Sequence, residues 1–280
     1  MSPSQPITNH YQNMIQKIVG RIPLRSRWKL AVRTVPVVAV ILLLKLAMHY
    51  LGYEFLSPSS LFTAVVSASI FLIGFLLSGV LGDYKESEKI PGDLGASLET
   101  MADEGFILYK NKKSKEARDY LVQLSHFNRS LIAWFYGSER TESLMEKLSA
   151  FNECFLAFES QTQANYISRL KQEQNLIRKM INRIHTIRET SFLGTGYAIA
   201  EIISAILVMA MIFIKIEPFY ESMFFVSFVS FILIYMIHFI KDVDNPFAYG
   251  QRDSEVEEVS LRPVLDSCKR IDAHLKEIEE

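Results

Sequence analysis

Four apolar stretches, set as two pairs around a long charged middle, constrain this chain more than any other feature. Residues 34–51 and 61–82 form the first pair, and 193–214 and 219–240 the second. Each approaches the ~20 residues that a helix rising ~1.5 Å per residue needs to cross ~30 Å of hydrocarbon. The expectation is an all-α membrane protein with four transmembrane helices. Along the chain this gives a basic N-terminal segment (1–33), transmembrane hairpin 1 (34–82), a helical cytoplasmic domain (83–192), transmembrane hairpin 2 (193–240) and a cytoplasmic tail with an amphipathic helix (241–280).

The basic residues set the orientation. Lys17, Arg21, Arg25, Arg27, Lys29 and Arg33 precede the first stretch, whereas the connection 52–60 has no Lys or Arg and 215–218 has only Lys215. Positive charge stays on the cytoplasmic side, so the reading is an integral multi-pass protein of the cell or inner membrane with both termini inside. Tyr50, Tyr53, Phe219 and Tyr220 then fall at the outer interface, where amphipathic rings settle.

The middle segment 83–192 holds 16 Lys plus Arg and 16 Asp plus Glu, a water-facing composition with no net charge. Leu121, Leu124, Phe127 and the run Leu131–Phe135 recur at helical spacing, as do Ile167, Leu170, Leu176, Ile177, Met180, Ile181, Ile184 and Ile187. About four helices are expected, some continuing from spans two and three, with Pro91 at a break or first turn and Gly92, Gly95, Gly105 and Gly137 as punctuation. In the tail, Leu261, Val264, Cys268, Ile271, Leu275 and Ile278 follow the 3-4 spacing of a coiled-coil seam. They form either an oligomer helix or an amphipathic helix packed on its own domain.

The composition excludes several functions. A net charge of −1 gives no basic footprint, so no nucleic acid is expected as a partner. Cys154 and Cys268 are isolated, and His10, His49, His126, His185, His238 and His274 are scattered singly. With no nucleophile motif and no phosphate loop, neither a catalytic residue, nor a metal site, nor a cofactor is expected, and the chain is not read as an enzyme.

Span two carries the most specific pattern. At ~100° per residue, Ala64, Ser67, Phe71, Gly74, Phe75, Ser78 and Gly82 share an arc about 100° wide, with Val65, Leu72, Ile73, Leu76 and Val80 opposite. Small residues allow close helix packing; the same arc can line an aqueous path with Phe71 and Phe75 as a hydrophobic constriction. Lys45 and Glu201 are charges inside spans. They pair across helices, or Lys45 attracts anions in an outer vestibule, or each snorkels to an interface.

The layout of two spans, a helical middle, two spans and a tail resembles the bestrophins and the bacterial bestrophin-like families. So do Gly74-Phe75, the string from Gly82 to Gly92, and Asp244-Asn-Pro-Phe247 after the last span. The resemblance implies a homopentamer around an axial pore conducting chloride or other small anions, with a neck of bulky apolar residues carried over to Phe71 and Phe75. Ser67 stands where the family's next bulky residue would be. The acidic calcium clasp that follows Asn-Pro-Phe in animal bestrophins is replaced by Ala248-Tyr-Gly250, and Asp242, Asp244 and Glu255 fall short of the about six oxygen ligands that calcium takes.

The expected function is a bestrophin-like oligomeric ion channel whose partners are copies of itself, the lipid bilayer and small anions, with Ser67, Phe71, Gly74, Phe75, Ser78 and Gly82 lining the pore. The alternatives are a membrane-anchored interaction or sensor protein whose cytoplasmic helices bind a partner, and a pore-forming stress or defence effector.

Overall fold

The computed structural model describes residues 28–189, 194–249 and 258–279. They form ten helices: α1 (Lys29–Leu51), α2 (Ser60–Ser87), α3 (Ile90–Lys112), α4 (Lys115–Phe135), α5 (Thr141–Ser149), α6 (Phe151–Phe158), α7 (Ala164–Glu189), α8 (Gly194–Ile212), α9 (Phe219–Val243) and α10 (Arg262–Glu279). The basic run before Trp28, Gly250 and Glu255 lie outside the described residues.

Local signals place the ends. Ser59 caps α2 by accepting from the Phe62 amide at 3.1 Å, and Ser114 caps α4 from Ala117 at 3.2 Å, each satisfying an amide that the first turn leaves open. Gly52 closes α1 in the left-handed conformation at φ 71°, open to glycine without steric cost. Between α2 and α3 lies only the turn Glu88-Lys89, and Pro91 sits in the first turn of α3, where its missing N–H costs nothing.

Two cores result. In the apolar bundle α9 packs against α1, α2 and α8, and α8 also packs on α1 and α2. Its centre is Ile73, Leu76 and Val80 of α2 against Leu207 and Met211 of α8 and Val226, Val229 and Leu233 of α9. The two hairpin tips are joined by one parallel bridge, with Leu56 donating to Phe213 O at 3.1 Å and Lys215 donating to Leu56 O at 2.7 Å. α1, α2 and α9 are long and apolar enough to cross a bilayer; the apolar part of α8, Gly196–Ile212, is shorter.

The polar half packs α3 between α4, α7 and α10, with α5 and α6 closing the side. Its core runs from Leu94, Leu98 and Met101 through Leu121 and Leu124 to Phe151, Phe155 and Phe158. The two periodic stretches of the middle segment are α4 and α7. Five helices occupy this segment rather than about four, because the chain breaks at Ala150 between α5 and α6.

Gly95 and Gly105 are not punctuation. Both lie within α3, where they permit close approach: a Cβ on Gly105 would meet the Tyr120 ring at 2.5 Å, and one on Gly95 would meet Pro263 O at 3.0 Å. That approach seats α10. Val264, Cys268 and Ile271 are buried in the polar core, with Leu275 and Ile278 packed at its edge. Asn128 donates to Ser267 Oγ at 3.0 Å, while Ser125 and Arg129 donate to Asp272 at 2.8 and 3.0 Å. The seam of Leu261, Val264, Cys268, Ile271, Leu275 and Ile278 is thus used inside the chain. It is not a free oligomer helix, since a 3-4 repeat looks the same whichever helices it meets.

Candidate functional site

The arc on α2 faces away from its own bundle. Val80 on the opposite side is 1% exposed, whereas Phe71 is 75% and Phe75 65% exposed. Ser67, Gly74, Ser78 and Gly82 are exposed as well. A Cβ added at Gly74 or Gly82 would meet nothing within 4 Å, so these glycines serve no helix contact within the chain. Ser67 donates its hydroxyl back to Thr63 O at 2.9 Å, which uses its one donor and leaves only an acceptor oxygen on that turn of the arc. The result is two large rings one helical turn apart, flanked by small side chains, on a face that the fold leaves uncovered.

Lys45 is fully buried. Its ammonium donates to Glu54 Oε1 at 2.5 Å and to the backbone carbonyl of Ile214, and His49 Nδ1 lies 2.9 Å from Glu54 Oε2. His49 also stacks on Phe219 at 3.8 Å. Burial alone would raise the Glu54 carboxyl, but bonds from Lys45 and His49 hold it below the usual carboxylate range. This cluster ties α1 to both hairpin tips. Of the alternatives for these two charges, the mutual pair does not form: Lys45 meets Glu54, and Glu201 meets Lys241 of α9. A lysine enclosed and countered in this way offers no open positive charge to an anion. Sequence periodicity had no means of finding Glu54 as the partner, since it lies in an irregular connection.

Where the apolar bundle meets the polar half, Tyr84 packs against both cores. Arg183 of α7 donates to Glu86 at 3.1 and 3.3 Å and lies 3.7 Å from Asp83. A cavity of ≈310 Å³ opens here, walled by Asp83, Tyr84, Arg183, Asp244 and Pro246. Tyr197 Oη donates to Asp244 Oδ1 at 2.5 Å. Phe247 of the Asn-Pro-Phe string is buried beside Phe135. Arg188, a residue the sequence pattern did not single out, donates to Trp134 O, Phe135 O and Phe247 O at 3.2, 2.7 and 3.2 Å. It thereby satisfies carbonyls at the C-terminus of α4, where positive charge is favoured. Its only sequence signal was a cation in the last turn of a periodic helix. Among the described residues no three His, Cys, Asp or Glu side chains converge as a metal site.

No family model matches the sequence, and no curated protein matches it. Solved structures do. One crystal structure of a bacterial bestrophin homolog from Klebsiella pneumoniae aligns with TM-score 0.70 and 12% identity over 88% of this chain and 99% of that one. Another structure of a bestrophin homolog from the same organism aligns with TM-score 0.69 and 12% identity over 86% and 96%. A structure described as that of a membrane protein aligns with TM-score 0.70 and 12% identity over 88% and 98%. The chain has a bestrophin-like fold. That fold, with helices long and apolar enough to cross a bilayer, is that of an integral membrane protein.

Proposed function

We infer that the chain is a bestrophin-like ion channel, in which several copies surround an axis and turn the α2 arc toward it to conduct chloride or other small anions. The observation that carries this is the uncovered face with Phe71 and Phe75 at 75% and 65% exposure. Inward-facing rings from each copy would form an apolar neck that gates by dewetting. In this reading Ser67, Gly74, Ser78 and Gly82 line the rest of the path, four helices span the bilayer with both termini inside, and a pentamer is the expected assembly. α8 then spans as the shortest member, its apolar part covering about 26 Å. The scaffold alternative is weakened, because the tail seam that would have recruited a partner is buried within the chain.

The test is conduction by purified protein in liposomes. Phe71→Ala with Phe75→Ala is expected to raise conductance roughly tenfold or to abolish gating, since the dewetting barrier is lost. Unchanged currents in the double variant would remove these residues from the neck, and a monomer in detergent would remove the channel.

A further inference from the structure

The α2 arc does not stop at the apolar segment. Lys85 lies 18 residues after Ser67, about five full turns, and so shares its angular position. Lys89 bears the same relation to Phe71, and the turn between α2 and α3 preserves it: Glu88 has φ −59° and ψ −27°, Lys89 φ −80° and ψ −30°, both helical. Lys85 and Lys89 are exposed. Neither takes part in an ion pair among the described residues.

The neighbouring acids are placed differently. Asp83 and Glu86 sit about 120° and 60° from Phe71 around the helix. Arg183 holds both from the side, with Glu86 at 3.1 Å and Asp83 at 3.7 Å. Glu88 falls about 100° away on the other flank. Asp93 returns to the arc one turn beyond Lys89, in the first turn of α3, where the helix dipole favours an anion. Between Phe75 and Asp93, therefore, the charges within the arc are the two lysines, with Glu86 at its edge, about 20° from Phe75, held by Arg183. Lys85 comes ten residues after Phe75, about 15 Å along the axis.

We propose that Lys85, with Lys89 beyond it, forms the charge-selecting ring of the pore at its inner mouth, drawing small anions toward the Phe71 and Phe75 constriction. This rests on the channel reading above. Each copy contributes the same side chain, so the positive potential sums about the axis, and low-dielectric walls concentrate it. The flexible four-carbon stem lets each ammonium lean into the path without a fixed partner. Arg183 then acts as a positioning residue, drawing Asp83 and Glu86 off the route.

The experiment compares wild type, Lys85→Glu, Lys85→Arg and the Phe71→Ala/Phe75→Ala double variant in liposomes under a tenfold KCl gradient. Lys85 is exposed and unpaired, so its variants are expected to elute as the wild type does. Lys85→Glu is expected to lower the chloride-to-potassium permeability ratio at least roughly fivefold at low salt, with Lys85→Arg unchanged. The difference must fade near 1 M salt, where the Debye length falls to ~3 Å, because a charge effect is screened and a structural one is not. A ratio unmoved by Lys85→Glu, or moved equally at both salts, while the double phenylalanine variant alters conductance, overturns the ring and leaves the channel standing. Absence of current in the wild type overturns the channel reading and the ring with it, whereas currents indifferent to the phenylalanines remove the neck that the ring would feed, and so overturn the ring.

Discussion

The apolar bundle and the polar half are built from helices of similar length, yet they treat their apolar residues in opposite ways. In the polar half most of the stripes of α3, α4 and α7 is consumed: Leu98, Leu121, Leu124 and Ile181 are wholly buried, while Leu176 of α7 stays exposed. In the apolar bundle only 28% of the most apolar stretch of α1, α2 or α9 is buried. Val35, Leu43, Ile202 and Phe228 point outward. Water cannot be the solvent for such a surface, because contiguous apolar patches of this extent are not left exposed by soluble domains. The polar half buries most of its apolar side chains within the single chain, with Ile107, Leu156 and Leu176 among the exceptions, whereas the bundle leaves most of its own to hydrocarbon or to further copies.

The largest expected effect that tests this contrast is in the polar core. Phe155→Ala removes a ring packed between Tyr120 and Phe151 and is expected to cost about 3–5 kcal/mol. Leu43→Ala, on the outward face of α1, should cost far less in detergent. Thermal unfolding followed by circular dichroism measures both, and comparable losses would break the contrast.

Next is the Lys45 cluster at the hairpin tips. Lys45→Met leaves Glu54 without its buried cation and is expected to cost about 3–5 kcal/mol, with Lys45→Met/Glu54→Leu recovering much of it. A double variant as unstable as the single would show that the pair is not what the tips depend on. The same cluster predicts a pH dependence. A carboxyl lowered in the folded state adds stability that is complete above its unfolded value of about 4.3 and is lost as pH falls through its folded value. The melting temperature of wild type should therefore fall toward that of Glu54→Gln in acid and separate from it toward neutrality.

Gly105→Ala is smaller. Its methyl group would strike the Tyr120 ring at 2.5 Å and should cost about 1–3 kcal/mol through overpacking. The smallest effect is chemical. Burial pushes the Cys268 thiol up to about 11, so alkylation of native protein at neutral pH should be slow at this position and rapid after unfolding, as mass spectrometry can follow.

Much of this architecture was legible because one period sufficed to reveal it. The lengths of the apolar stretches indicated α1, α2 and α9, and a turn of ~100° per residue separated Phe71 and Phe75 from Ile73, Leu76 and Val80. Contacts between distant segments left no such trace. Lys45 meets Glu54 and Ile214 through an irregular connection, Arg188 reaches carbonyls on α4, and Gly105 accommodates Tyr120 of another helix. The α10 seam shows the converse, since its repeat was plain while its partners, α3 and α4, were not.

The short turn at Glu88-Lys89 makes α2 and α3 one nearly unbroken rod of 53 residues, Ser60–Lys112. Such a rod, about 80 Å long, behaves as a drive shaft. Rotation at one end is passed along the backbone to the other, so turning Phe71 and Phe75 about the helix axis works against the close approach of Gly95 to Pro263 and of Gly105 to Tyr120. Whatever loosens those two seats shares one helical rod with Phe71 and Phe75, though it acts some tens of ångströms away.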